Sequence, residues 1–156
     1  MKIYFNRRPV AGPWGGGSKV LSAIVEECIF RGHEIYFEEA IHSESEIDVI
    51  FCIDPRPNSL CNFDDFLNYK KKFDSKIIQR IGDLGTHGKP DLFKLLQLTA
   101  PFADIVIFPS HWAKSQLQLK NEQYVIINAP LPEFIQQNYQ KNFQEFPIKI
   151  VTHHWS

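Results

Sequence analysis

Short apolar runs alternate with helix-like patterns along most of the chain. The apolar runs have the length of strands and predict six of them, over residues 2–5, 33–38, 47–54, 76–83, 104–110 and 124–130. Between the runs, apolar residues recur every three or four positions and predict helices over residues 19–32, 62–73, 90–103 and 111–120. This alternation predicts an α/β, Rossmann-like fold, a parallel sheet with helices on both faces.

Several residues mark the expected ends of these helices. Ser18 is placed to cap the first helix, and Ser110 is placed to cap the fourth. Gly32 stands where a glycine commonly ends a helix, and Pro101 should kink or end the third helix. In the fourth helix we expect Trp112 to pack against the domain rather than to stack on a ligand.

The C-terminal part of the sequence departs from this pattern. We assign residues 1–135 to the Rossmann-like domain and residues 136–147, which are polar with scattered aromatic residues, to a connector. Residues 148–156 begin a further strand. Two interpretations stay open for it: the first strand of a truncated second domain, or an added edge strand of the same sheet.

Composition narrows the class of protein. The 156 residues suffice for one domain with a core. With 17 basic and 18 acidic residues, the net charge of -1 gives no support to nucleic-acid binding. The three cysteines are odd in number and lie partly in apolar runs, which predicts free thiols in a reducing compartment and no metal site. No apolar run reaches the length of a signal peptide or a membrane span, so we expect a cytoplasmic protein.

The segment GPWGGGSK, residues 12–19, carries the strongest local chemistry. It differs from the triphosphate-binding loop G-x-x-x-x-G-K-[ST], because Ser18 precedes Lys19 and because residues 6–11 separate the first strand from Gly12. It also fails the dinucleotide pattern G-x-G-x-x-G, since Val20 occupies the last position. The remaining hypothesis is anion binding by glycine backbone at a helix N-terminus, and the alternative is a mobile turn that requires positive φ angles.

Four segments in this order resemble those of a known family. They are GPWGGGSKVLSAIVEECIFRGHEI at residues 12–35, IIQRIGDLG at 77–85, ADIVIFPSHWAKSQL at 103–117 and VIINAPLPEF at 125–134. Together they resemble the N-terminal domain of a GT-B fold retaining glycosyltransferase of glycosyltransferase family 4. One departure is Ala129, at a position where the family usually has glycine.

The resemblance implies transfer of a sugar from a nucleotide-diphosphate sugar, such as a UDP- or GDP-sugar, with retention and without a metal or other cofactor. The acceptor would be a sugar, a lipid-linked molecule or a protein. The implied partner is a C-terminal GT-B domain that binds most of the donor and begins at residues 148–156. Without that domain, the chain is expected to be incomplete and inactive.

The resemblance also implies site residues. Gly15, Gly16 and Gly17, together with Ser18, would contact the donor diphosphate at the start of the first helix. The polar residue that lies near the reacting sugar after the fourth strand would be His87 or, as second choice, Asp83.

Three arginines are candidate substrate-binding residues because of their positions in the predicted sheet. Arg7 and Arg8 follow the first strand, and the carboxyl ends of parallel strands are where open α/β folds bind ligands. They are candidates to meet an acidic acceptor or a phosphate, and a solvated loop is the alternative. Arg80 lies within the fourth strand and is expected to pair with a carboxylate in the cleft.

Two other functions stay open as alternatives. One is a stand-alone Rossmann-like binding or regulatory module without catalysis. The other is a nucleotide-dependent kinase or ATPase, in which Lys19 would bind the phosphates. A serine hydrolase has no support, because the sequence lacks the G-x-S-x-G motif.

Overall fold

The structure is a computed structural model, and it describes residues 1–12, 15–42, 46–86 and 88–127. The strands are β1 (Lys2–Phe5), β2 (Glu34–Tyr36), β3 (Val49–Cys52), β4 (Lys76–Arg80), β5 (Ile105–Phe108) and β6 (Glu122–Val125). The α-helices are α1 (Gly16–Phe30), α2 (Phe63–Phe73), α3 (Pro90–Thr99) and α4 (His111–Ser115), with short 3-10 turns at Glu38–His42 and Ala100–Phe102. The predicted domain boundaries at 135/136 and 147/148 lie outside the described residues.

All six strands are parallel, in the order β2-β1-β3-β4-β5-β6. This confirms the predicted α/β, Rossmann-like fold. From β1 the chain passes to β2 on one side, and it then returns to β3 on the other side of β1. The loops that follow β1 and β3 therefore leave the sheet in opposite directions, which opens a crevice at the carboxyl ends of these two strands.

Helices cover both faces of the sheet, as the sequence predicts. Alternate residues of a strand point to opposite faces. On one face Tyr4, Ile50 and Val106 are fully buried in a cluster with apolar residues of α2, α3 and α4. On the other face, strand residues such as Phe5 pack against Leu21 and other residues of α1. Helix α1 thereby fixes its N-terminus beside the crevice.

The start of α1 differs from the prediction. The N-cap is Gly15 and not Ser18, which lies inside the first turn. The hydroxyl of Ser18 bonds instead to the backbone of Val10, in the loop after β1. At the other end, Gly32 has φ +77° and its N–H donates to the carbonyl of Ile29, which confirms the glycine as part of the helix end.

The last two helices are shorter than predicted. Helix α3 ends at Thr99, and Pro101 lies in the 3-10 turn that follows. Ser110 caps α4 as predicted, because its hydroxyl accepts from the N–H of Ala113 at 3.1 Å. This helix nevertheless ends at Ser115, and the chain leaves the helical path after it.

Among the described residues, no helix is both long and apolar enough to span a bilayer. Cys28, Cys52 and Cys61 are free thiols, and the last two are buried. Burial raises the pKa of Cys52 far above its usual value, which keeps this thiol protonated.

Candidate functional site

A cavity of about 750 Å³ lies at the carboxyl ends of the central strands. Its walls come from the loops after β1, β3, β4 and β5 and from the first turn of α1. We call it the cleft. Seven of the predicted site residues line it, namely Arg7, Arg8, Gly16, Gly17, Ser18, Arg80 and Asp83. Gly15 directly precedes these glycines as the N-cap, and His87 lies outside the described residues.

The backbone conformation at the start of α1 does not require glycine. The described glycines with positive φ are Gly12, Gly32, Gly85 and Gly88, so residues 15–17 adopt angles that any amino acid can adopt. A Cβ atom added at Gly15, Gly16 or Gly17 would meet nothing within 4 Å. The alternative of a turn that needs positive φ is therefore wrong at residues 15–17.

The two adjacent arginines differ in how their charge is used. Arg8 is exposed and forms an ion pair with Glu39 at 2.7 Å, lies 3.9 Å from Glu38, and sits over the ring of Phe37 at 4.7 Å. Arg7 is half-buried and donates to two neutral acceptors, the carbonyl of Asn6 at 2.7 Å and the carbonyl of Arg56. Arg7 is thus held in place by backbone, whereas Arg8 is compensated by carboxylates.

Arg56 belongs to the cleft, although it was not among the predicted site residues. Its guanidinium donates to both carboxylate oxygens of Asp54, with Nε 3.0 Å from each. Burial alone would raise the pKa of Asp54, but the hydrogen bonds from Arg56 and the charge of Arg7 bring it below its usual value. Asp54 is therefore ionised and orients Arg56. The sequence signal was available, since Arg56 follows β3 much as Arg7 follows β1.

Arg80 is the most deeply buried cation of the cleft, with 7% of its surface exposed at the end of β4. Burial lowers the pKa of its guanidinium below the usual value. A Cβ atom at Gly82 would lie 2.6 Å from Nη1 of Arg80, so the glycine leaves room for this side chain. The carboxylate expected to pair with Arg80 stays a prediction.

Asp83 lies in the loop after β4, where its carboxylate accepts hydrogen bonds from Gly85 and Lys89. Its Oδ1 accepts from the N–H of Gly85 at 2.8 Å, and its Oδ2 accepts from Nζ of Lys89 at 2.8 Å. Gly85 has φ +78°, and a Cβ there would lie 2.3 Å from the carbonyl oxygen of Lys89. This tight turn fixes the carboxylate in the cleft wall.

The prediction that Trp112 packs against the domain is wrong. The residue is 59% exposed and lines the cleft and a smaller adjoining cavity of about 200 Å³. The core contacts in this part of the chain come instead from Ala113, the next residue of α4, and from Leu117, which lies just beyond the helix. A large exposed aromatic side chain in a cavity wall is a common feature of binding sites.

The cleft is more basic than the chain as a whole. Its described lining contains five cations, Arg7, Arg8, Arg56, Arg80 and Lys89, against two carboxylates, Asp54 and Asp83. Lys19 is not part of this lining, although it directly follows Ser18. Among the residues that the structure describes, no group of three or more His, Cys, Asp or Glu side chains is placed to hold a metal ion. This excess of cations over carboxylates favours an anionic ligand.

The chain matches no model of a protein family, no curated protein and no solved structure.

Proposed function

We propose that this chain is the acceptor-side domain of a cytoplasmic retaining glycosyltransferase. The donor would be a nucleotide-diphosphate sugar such as a UDP- or GDP-sugar, and the acceptor a sugar, a lipid-linked molecule or a protein. A second GT-B domain, C-terminal to the described residues, would bind most of the donor. The four segments that resemble glycosyltransferase family 4 support this proposal, together with the position and charge of the cleft.

The observation that carries the proposal is the glycine segment at the start of α1. Neither φ angles nor packing inside the domain requires glycine at residues 15–17. Gly16 and Gly17 nevertheless line a basic cleft at a helix N-terminus, where the first N–H groups have no acceptor within the helix. Glycine at such a position lets an anion approach the backbone closely. The diphosphate of a nucleotide-sugar donor would be such an anion.

The chemistry follows from where charge develops during transfer. As the bond to the sugar breaks, negative charge builds on the leaving diphosphate, and N–H groups of Gly16 and Gly17 would stabilise it. Positive charge builds on the sugar ring, and a carboxylate such as Asp83 would stabilise that charge. The hypothesis that His87 lies beside the reacting sugar remains part of this proposal.

Gly16→Val, made in the enzyme that carries both proposed domains, tests the role of the glycines. We expect turnover with the preferred donor to fall at least about tenfold, because the branched side chain keeps the diphosphate away from the backbone. The fold should survive, since the added Cβ has open space. Ala23→Val, at an exposed position of the same helix, is the matched control.

Unchanged turnover in Gly16→Val would remove the glycines from the site. A panel of nucleotide sugars, scored for transfer and for donor hydrolysis, tests the activity itself. Donor binding without any turnover would favour the stand-alone binding module. Mg-ATP binding that is lost on Lys19→Ala would favour the kinase or ATPase, although Lys19 lies outside the cleft lining.

A further inference from the structure

The described lining of the cleft contains more cations than carboxylates, even when Arg8 is left out. The charge of Arg8 is met by Glu38 and Glu39, outside the cleft lining. Without Arg8, the described lining still has four cations, Arg7, Arg56, Arg80 and Lys89, and two carboxylates, Asp54 and Asp83. An excess of cations over carboxylates in a concave site favours an anionic ligand.

Arg7 and Arg56 are fixed to one another before any ligand arrives. Arg7 donates to the backbone carbonyl of Arg56, and this ties the loop after β1 to the loop after β3. Asp54 in turn holds Arg56 through Nε and Nη2. Both terminal nitrogens of Arg7 keep a second N–H beyond the bonds to carbonyl oxygens. Pre-organised guanidinium groups of this kind suit phosphate and carboxylate oxygens.

We propose that Arg7 and Arg56 form an oxyanion-binding subsite in the cleft, which the buried Arg80 also lines. The subsite lies at the β1/β3 crevice and acts through charged side chains, whereas residues 15–17 offer neutral backbone. The proposed function predicts a ligand diphosphate and does not require these two arginines. For the identity of the natural ligand the inference rests on the proposed function, and for anion binding itself it does not.

Titration calorimetry of the 156-residue chain with inorganic pyrophosphate tests this subsite directly. We expect binding, and we expect Arg7→Gln and Arg56→Gln each to weaken it at least about tenfold, the effect of one lost charge-assisted hydrogen bond. Arg31→Gln is the matched control. It removes the same charge from a side chain that is 68% exposed, pairs with Glu27 and lies beyond the far end of α1. It should leave the affinity unchanged at about 0.15 M salt, where remote charges are screened.

Three results would overturn the subsite: no pyrophosphate binding by the wild type, unchanged binding in both cleft variants, or equal weakening by Arg31→Gln. Because Arg7→Gln also loses hydrogen bonds to backbone carbonyl groups, circular dichroism and a thermal melting curve should check that the variant is folded. Arg7→Lys is the second variant. It keeps the charge but lacks the planar fork, so an affinity between those of wild type and Arg7→Gln is expected.

The source of the anion is separated with two further probes. If the subsite takes the donor diphosphate, Arg7→Gln weakens binding of UDP. If it takes an acidic group of the acceptor, Arg7→Gln weakens binding of glucose 6-phosphate and leaves UDP binding unchanged. If Arg7→Gln loses pyrophosphate binding but the two-domain wild type transfers no sugar, the proposed function is contradicted and the subsite is not. Sugar transfer combined with unchanged anion binding in the variants would contradict the subsite alone.

Discussion

The hydroxyl of Ser18 binds both backbone groups of Val10. Its Oγ accepts from the N–H of Val10 at 3.0 Å and donates to the carbonyl of Val10 at 3.1 Å. Ser18 lies in the first turn of α1, and Val10 lies in the loop that follows β1. Both residues line the cleft, so this pair of hydrogen bonds fixes the loop that carries Arg7 and Arg8 relative to the glycine segment.

Ser18→Ala should therefore release the loop without unfolding the helix. Val10 is exposed, so water can replace both hydrogen bonds, and alanine favours the helix by a few tenths of a kcal/mol. We expect a change in the free energy of unfolding of less than about 1 kcal/mol, together with faster hydrogen exchange at the Val10 amide. Heteronuclear NMR measures this exchange for the single amide.

Ser22→Ala, one turn further along α1, is the matched control and should leave the Val10 exchange rate unchanged. If Ser18→Ala instead frays the first turn of α1 and leaves Val10 protected, the serine acts as a helix cap and the bond to Val10 is unimportant.

Gly85→Ala should destabilise the domain more than Gly32→Ala. Both glycines have nearly the same positive φ, +78° and +77°, so both variants carry the cost of a left-handed alanine, roughly 1 to 2 kcal/mol. At Gly85 the new Cβ would also lie 2.3 Å from the carbonyl oxygen of Lys89, whereas at Gly32 it meets nothing within 4 Å. Urea denaturation of both variants measures the difference. Equal losses would show that the turn beside Asp83 relaxes without cost.

Asp104 should stabilise the domain at neutral pH and lose this effect in acid. Its Oδ2 accepts from Nζ of Lys70 at 2.6 Å and from the N–H of Ile77 at 2.8 Å. Burial would raise the pKa of Asp104, but these bonds outweigh burial and lower it. A lowered pKa in the folded state gives stability that is present above the unfolded pKa, about 3.9, and disappears as pH falls through the folded pKa.

Urea denaturation of wild type and Asp104→Asn between pH 3 and pH 7 measures this contribution. At pH 7 we expect the variant to be less stable by about 1 to 2 kcal/mol, the usual worth of a hydrogen bond to a charged group. Below about pH 4 the difference should shrink. Asp91→Asn, at an exposed carboxylate, is the control. A difference that stays constant down to pH 3 would mean that the charge of Asp104 does not matter.

Trp112→Ala should have little effect on stability, because more than half of this side chain is exposed. We expect a loss of less than about 1 kcal/mol in the free energy of unfolding. Leu96→Ala is the contrast in the same part of the domain. Leu96 is 1% exposed, and its truncation should cost about 2 to 5 kcal/mol. Comparable losses from both variants would return Trp112 to a packing role.

The sequence by itself determined the elements and their order. Apolar runs such as that of β3 and the helical spacing in α1 are local patterns, and six parallel strands with helices on both faces follow from their alternation. The capping role of Ser110 and the helix-ending role of Gly32 were also predictable, because their hydrogen-bond partners lie within a few residues.

Only the tertiary structure decided which residues of the cleft form hydrogen bonds with one another. Ser18 bonds to Val10 across the glycine segment, and Arg7 meets the carbonyl of Arg56, 49 residues away. Trp112 faces outward, and the contacts with the core in this part of the chain come from Ala113 and Leu117. Periodicity states which face of an element is apolar, and strand order fixes which loops meet at one edge of the sheet. The partners of polar side chains in those loops depend on distances between elements, which a one-dimensional pattern does not contain.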